Sequence, residues 1–392
     1  MNYFDFRFAA NTHLYFGAGK FKLLPKLINN FGENLLLVLG GQSFKKTSHY
    51  KWLLNALENS SARMYCASIQ SEPSPNQVDE IVQIFQKKNI QVVVAIGGGS
   101  VIDAGKAVSA MLTKNTSVSA FLEDVGTQTH DGGKIPFIAV PTTAGTGSEA
   151  TQNAVLSLVG KKGFKKSLRH ENFVPDIALV DPELTLSCPG EISAACGMDA
   201  LTQLIESYVS IKSSPMTDSL ALGGLRVMGD AILKSAVLDP NDLDARTRIC
   251  YGSYISGLTL ANAGLGVVHG FASVIGGGFP IPHGVVCGTL LAQTTQKNIE
   301  TLILLDPEGD SLLKYANAGK LLGKTKNNDP IKNARILSDL LMEWTEFLKI
   351  PRLSQFGVTR DDINEIVSAT GQKNNPVALK KEELKNILKD RL

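Results

Sequence analysis

Little in this chain points toward nucleic acid, a membrane or an oxidising compartment. Lysine plus arginine number 39 and aspartate plus glutamate 37, a formal net charge of +2 over 392 residues. The basic excess that a polyanion partner demands is therefore missing. The densest basic cluster, "KKGFKK" at 161–166, reads as a solvated hairpin turn. No apolar run reaches the ~18 residues of a membrane span. The five cysteines, Cys66, Cys188, Cys196, Cys250 and Cys287, form no CxxC pair. That spacing excludes a zinc knuckle and fits reduced thiols in a cytosolic protein. The opening "MNYFDFRFAANTHLYFGAG" lacks a basic segment followed by an apolar run, so a cytoplasmic rather than a secreted protein is expected.

What is present is enough for a large core. The length predicts two domains or one large one, and a hydrophobic share of 43% with 19% charged residues is that of an ordinary globular chain. The first half alternates short apolar runs with amphipathic stretches. "NLLLVLGG" (34–41), "NIQVVVAIGGGS" (89–100) and "KIPFIAVPTTAGTGSE" (134–149) each read as a buried strand ending in glycines or small hydroxyls. "PNQVDEIVQIFQKKN" between the first two is helical by period and begins with proline. Continuous β-branched runs followed by helices indicate a parallel sheet covered on both faces. After "ALVDPELTLSCPGEISAACGMDAL" (178–201) the periodicity is helical almost to the end, as in "DLDARTRICYGSYISGLTLANA" and "PIKNARILSDLLMEWTEFL". The expected organisation is an α/β domain over 1–185 and an all-helical domain over 186–392.

The glycine turn "GGGSVIDAGKA" (97–107) joins a strand to a helix. Glycines let a backbone approach a pyrophosphate, and the helix N-terminus supplies free N–H groups and a positive dipole end. Ser100 is expected to cap that helix, with Asp103 in its first turn. The pattern is neither GxGxxG nor a Walker motif. "PTTAGTGSEAT" (141–151) adds Thr142, Thr143 and Thr146, whose hydroxyls can bond phosphates and a nicotinamide ribose. Two such loops on neighbouring strands predict a dinucleotide site. The first strand ends in "LGGQSF", where a site selective for NAD usually places a carboxylate against the ribose 2′-OH. No acid is present. Gly40 and Gly41 leave room, Ser43 offers a hydroxyl, and Lys45 and Lys46 offer charge, so NADP is expected over NAD.

In the helical half, "GMDALTQLIESYVS" (197–210) sets Asp199 and Gln203 four apart on one helical face, with Glu206 a further turn along. "VVHGFASVIGGGFPIPHG" holds His269 and His283, the only histidines of that half, each followed by glycine. One carboxylate and two imidazoles suit Zn²⁺ or Fe²⁺ and leave positions open for substrate.

Together, "GGGSVIDAGKA", "PTTAGTGSEAT", "VDPELT", "GMDALTQLIESYVS" and "HGFASVIGGGFPIPHG" resemble the iron-containing (group III) alcohol dehydrogenases. The resemblance runs from "YFGAGK" near the start to "NNPVALKKEEL" near the end. It implies a Rossmann-like α/β N-terminal domain and an all-α C-terminal domain, the dehydroquinate synthase-like fold. A dinucleotide would lie in the cleft between them, its nicotinamide beside the metal. It further implies NAD(P)-linked hydride transfer between nicotinamide and a small alcohol or carbonyl, a divalent metal, and a homodimer. The family's ligands fall on Asp199, Gln203, His269 and His283, of which Asp199, His269 and His283 are expected to be catalytic. Cofactor contacts fall on Gly98, Gly99, Ser100, Thr142, Thr143, Thr146, Gly40 and Ser43, with Gly41 beside them. Lys165 matches a lysine that the family places near the nicotinamide ribose, which removes it from the solvated cluster. Two departures stand out. Gln203 replaces the usual second histidine, leaving a weak fourth ligand or a hydrogen-bond partner for a metal-bound water. Ser273 replaces a further histidine of the site. Those losses motivate two alternatives, a metal-independent reductase resembling maleylacetate reductases and a catalytically silent dinucleotide-binding homologue.

Overall fold

The structure, a computed structural model, describes residues 5–9, 12–60, 62–161 and 163–392. It divides into two compact units. One comprises Ala10–Leu158 with Lys165–Cys188; the other comprises Pro189–Leu392 with Val159–Phe164 and the N-terminal residues through Ala9.

The first unit is built on eight strands: β1 (His13–Phe16), β2 (Asn34–Leu39), β3 (Arg63–Ser68), β4 (Val92–Gly97), β5 (Phe137–Pro141), β6 (Asn153–Leu158), β7 (Phe164–Arg169) and β8 (Ile177–Val180). Helices α1 (Leu24–Asn29), α2 (Ser48–Glu58), α3 (Pro75–Phe85) and α4 (Gly99–Met111) lie between them in the chain. Six strands form a parallel sheet in the order β1-β8-β5-β4-β2-β3, and β6 with β7 makes a separate ribbon. The apolar runs of β4, β5 and β8 are buried along their whole length, as strands covered on both faces must be. At the sheet edge, β3 instead has only exposed and half-buried positions. Helix α3 begins as its sequence foretells: Ser74 and Gln77 form a reciprocal capping box and Pro75 opens the first turn. The order of strands reverses between β2 and β4. In open parallel sheets the crevice at such a reversal, outside the carboxyl ends of the strands, is where ligands bind. Gly40–Gly41 and Gly97–Gly99 follow these two strands.

The second unit carries α5 (Gly190–Val209), α6 (Pro215–Leu233), α7 (Leu243–Ala263), α8 (Val267–Gly278), α9 (His283–Leu305), α10 (Asp310–Leu322), α11 (Pro330–Phe347), α12 (Ile363–Ala369) and α13 (Lys381–Lys389). Pro282 precedes the first residue of α9 and stops any continuation from α8. Val267, Val268, Phe271, Ile275, Val286 and Leu290 knit α8 and α9 into one apolar cluster that also takes in α12 and α13. Residues 5–9 join this unit in part through Ala9, whose N–H donates to Asn262 Oδ1 at 2.7 Å while Asn262 Nδ2 donates back to its carbonyl at 3.1 Å. Among the described residues no single helix is long and apolar enough to cross a membrane.

Candidate functional site

In the helical unit, three helices aim side chains at one point. Asp199 lies in the middle of α5, His269 in the first turn of α8, and His283 at the first position of α9. Asp199 Oδ1 is 3.4 Å from His269 Nε2 and 3.7 Å from His283 Nε2. That oxygen is buried and has no hydrogen-bond partner among the described residues. A buried carboxylate oxygen left without a partner is costly, and two imidazole nitrogens facing it make a cation the natural complement.

A fourth donor joins them. Cys287 Sγ lies 3.6 Å from His269 Nε2 and 3.7 Å from His283 Nε2. Ligand atoms of Asp199, His269, His283 and Cys287 all fall within 4.8 Å of one another. Cys287 is four residues after His283 on α9, so the two share a face. The pairing was readable from that spacing once the helix is known to begin at His283. Phe271 is a fully buried core residue and Phe279 packs against the same cluster.

The electrostatics follow from burial and from the neighbours. Burial alone would push the Asp199 carboxyl up, but the His283 and His269 imidazoles hold it below the usual carboxylate value. Burial opposes protonation of His269, yet Cys287, Asp199 and Glu206 overcome it and raise the imidazole well above its ordinary value. Burial pushes the Cys287 thiol up to about 12. A divalent cation would reverse that balance, favouring anionic sulfur and neutral imidazoles.

Glu206, seven residues after Asp199 on the same face of α5, has a definite part. Its Oε2 meets His269 Nδ1 at 2.7 Å, and its Oε1 accepts from the Val268 N–H at 2.7 Å. A carboxylate on Nδ1 turns Nε2 inward and, with a cation present, would fix the tautomer that leaves Nε2 as the ligating nitrogen. Gly266 permits this approach: a Cβ there would stand 2.8 Å from Glu206 Oε1. Gln203 is buried and its Oε1 accepts from Ser256 Oγ at 2.7 Å. Ser273 Oγ donates to the His269 carbonyl at 2.9 Å, and Lys373 Nζ donates to that carbonyl at 3.0 Å while standing 3.4 Å from Ser273 Oγ. Nothing in the sequence flags Lys373, which reaches α8 from 104 residues away.

In the α/β unit, the two small-residue loops press against each other. The Thr142 N–H donates to the Gly97 carbonyl at 2.9 Å. A Cβ on Gly98 would be 3.3 Å from Thr143 Oγ1, and one on Gly99 would be 2.6 Å from Thr146 Oγ1. Gly40 comes close to the start of α4, where a Cβ would lie 3.5 Å from Val101. Gly41 is open, and Ser43 is exposed beside Lys45 in a short 3₁₀ turn. Ser100 does not cap α4. The helix starts at Gly99 after Gly98, which has extended backbone and no side chain to cap with. The turn closes one step earlier than the hydroxyl suggests because Gly97 lets Val101 sit where a Cβ would be, 2.6 Å away. The first N–H groups of α4 therefore carry no side-chain cap. Asp103 falls outside the first turn; burial chiefly raises it to about 6, and its Oδ2 accepts from the Val155 N–H at 3.2 Å.

Lysine positions differ sharply. Lys106 is buried and donates to the carbonyls of Ser148, Thr151 and Asn153, each at 2.8 Å. It thereby ties the threonine loop to α4. Lys165 pairs with Glu72 at 2.5 Å and Lys166 with Asp124 at 2.7 Å, while Lys161 is exposed. Lys162 of that cluster lies outside the described residues.

A family model described as "Iron-containing alcohol dehydrogenase" matches residues 11–182, and one described as "Fe-containing alcohol dehydrogenase family, C-terminal" matches residues 193–392. The chain belongs to the iron-containing alcohol dehydrogenases. It is similar to the NADPH-dependent butanol dehydrogenase of Clostridium saccharobutylicum, 30% identical over 392 residues covering 97% of this chain and 96% of that one. It is also similar to alcohol dehydrogenase 4 of Saccharomyces cerevisiae, 32% identical over 328 residues, or 82% of this chain and 81% of the other. Among solved structures it resembles an archaeal halo-thermophilic alcohol dehydrogenase from a Red Sea brine pool, with a TM-score of 0.89 and 25% identity over 99% of both chains. The α/β-plus-helical architecture expected from the sequence is thus the fold of the family. As a member it is an oxidoreductase acting on CH–OH groups, with a small-molecule alcohol or aldehyde as substrate, and the family implies NAD(P) and a divalent metal. The metal-independent and silent readings are not favoured by these relatives.

Proposed function

We propose that this alcohol dehydrogenase is an NADP-linked, metal-dependent enzyme that interconverts a small primary alcohol and its aldehyde. The observation that carries this is the convergence of Asp199, His269 and His283, with an orphaned carboxylate oxygen at its centre. When bound, a divalent cation supplies Lewis acidity toward the substrate oxygen and the nicotinamide supplies or accepts the hydride. The chain's own residues do the rest. Asp199, His269 and His283 hold the cation, and Glu206 keeps the His269 ring turned inward. Gln203, engaged with Ser256, supports the site as a hydrogen-bonding neighbour. The α4 N-terminus after Gly97–Gly99 and the hydroxyls of Thr142, Thr143 and Thr146 bind the dinucleotide phosphates and ribose. Lys106 keeps the threonine loop in place, and Lys165 orients the ribose end from its pair with Glu72. The end of β2 favours the 2′-phosphate of NADP: Gly40, Gly41 and Ser43 leave space, Lys45 lends charge, and no acid opposes it. The butanol dehydrogenase relative is NADPH-dependent by name, which supports both the cofactor and the substrate size. Five cysteines, none in a disulfide among the described residues, suit a reducing cytoplasm, and a homodimer follows the family resemblance.

One experiment tests the reading. Metal content of the purified enzyme is measured, and NADPH- and NADH-dependent reduction of a short aldehyde panel is followed before and after chelation. The expected result is a divalent metal near one per chain, loss of turnover on chelation, recovery with Zn²⁺ or Fe²⁺, and a lower KM for NADPH. Full activity in a metal-free preparation would overturn it.

A further inference from the structure

We propose that Cys287 is a metal ligand, its thiolate supplying a fourth donor, so that the site is an Asp-His-His-Cys set suited to zinc. The inference rests on the metal-dependent reading above and concerns which atoms complete it.

The distances carry the case. With Zn–N of about 2.0–2.1 Å, Zn–O of about 2.0–2.2 Å and Zn–S of about 2.3 Å, a tetrahedral ion has edges of roughly 3.4 Å between N and O and roughly 3.6 Å between N and S. The Asp199 oxygen stands 3.4 and 3.7 Å from the two imidazole nitrogens. The Cys287 sulfur stands 3.6 and 3.7 Å from the same two nitrogens. Both kinds of edge are matched by side chains from α5, α8 and α9.

An ordinary buried cysteine accounts for this less well. Cys287 belongs to the apolar cluster around Phe271 and Val286, and free cysteines commonly fill such cores. A core thiol has one proton to donate. This sulfur is nearly equidistant from two ring nitrogens that both also face the buried Asp199 oxygen, a convergence of four donor atoms that an apolar core position does not require. One cation would satisfy all four atoms.

The arrangement also relocates a familiar device. Two ligands four apart on one helix grip a cation from one face. On α5 the pair would be Asp199 and Gln203, whose neutral oxygen already accepts from Ser256 and is a weaker donor than a thiolate. On α9 it is His283 and Cys287. A thiolate in place of an imidazole shifts preference toward zinc, since soft sulfur donors select it over harder iron(II) sites. With four protein donors, a substrate oxygen would have to enter as a fifth ligand, an expansion that zinc tolerates.

The full-length protein, stripped with a chelator, is titrated with cobalt(II). Wild type is expected to develop a near-ultraviolet sulfur-to-cobalt charge-transfer band, saturating at one equivalent, with the visible bands of a tetrahedral ion. Cys287→Ser is expected to bind cobalt and lose the charge-transfer band alone. Visible bands without the charge-transfer band in wild type overturn the assignment and leave the metal-dependent reading standing. Absence of any cobalt binding overturns both, and a band that persists in Cys287→Ser assigns it to another sulfur. Zinc X-ray absorption on wild type decides the matter independently of how the variant folds: one sulfur at about 2.3 Å is expected, and a shell of nitrogen and oxygen alone refutes it.

Discussion

Glu206 offers the sharpest quantitative test of how the proposed metal centre is held. Its carboxylate makes two buried contacts at 2.7 Å, one to His269 Nδ1 and one from the Val268 N–H. Both act at the first turn of α8, where His269 is set. Removing an outer-shell partner of this kind costs about 10–100-fold in metal affinity, or about 1.4–2.7 kcal/mol. Leaving the Val268 N–H unsatisfied adds about 1–3 kcal/mol of stability loss that has nothing to do with metal. Two substitutions separate these effects. Glu206→Gln keeps an oxygen for Val268 and a polar group near His269 Nδ1, but removes the charge that favours the correct tautomer. It should weaken zinc binding about tenfold while lowering the thermal midpoint little. Glu206→Ala removes both contacts and should approach a hundredfold, with a clear loss of thermal stability in the metal-stripped protein as well. Zinc affinity is read by competition with a chromophoric chelator, and stability by calorimetry with and without metal. If both variants bind zinc as wild type does, Glu206 does not orient His269. If stability falls in step with contact loss but affinity does not move, Glu206 is only a tie between α5 and α8.

Two further perturbations test the α/β unit. Gly99→Ala would place a Cβ 2.6 Å from Thr146 Oγ1 and Cγ2, forcing the threonine loop away from α4 at about 1–3 kcal/mol; NADPH affinity measured by fluorescence should fall about tenfold or more, and an unchanged value refutes the contact between the loops as a cofactor determinant. Glu149 is held up to about 7 by burial, against an ordinary 4.5. The folded state thus binds the proton more tightly than the unfolded chain. Stability from this group is fully present below about pH 4.5 and is lost as pH rises through 7, by roughly 3 kcal/mol at most. Glu149→Gln should therefore match wild type in thermal midpoint at pH 5 and exceed it at pH 8, and parallel curves for the two proteins would refute the assignment.

What the sequence reveals and what it hides divide along physical lines. The β2, β4 and β5 strands and the loops after them are local signals, since β-branched runs, glycines and small hydroxyls state their roles within ten residues. The helical unit is readable from period alone, and His269 and His283 are conspicuous because that half holds no other histidine. Roles that depend on contact between distant segments are not readable in this way. Lys106 looks like any helical lysine until three carbonyls of the segment after β5 are seen around it, because burial of a charged group is decided by its partners. Glu206 occupies the right face of α5, but its function needs α8 to bring Val268 and His269 to it. Ser100 misleads because hydroxyls before helices usually cap them, whereas here the glycines let the helix begin first. Cys287 is the most instructive case. A scan for cysteine pairs or CxxC spacing dismisses it, and its apolar neighbours suggest plain core. Its partner is the histidine one turn earlier, visible only once Pro282 is recognised as the residue that starts the helix. The glutamine at 203 and the thiol at 287 then become one question rather than two, namely whether an Asp-His-His site takes its fourth donor from α5 or from α9.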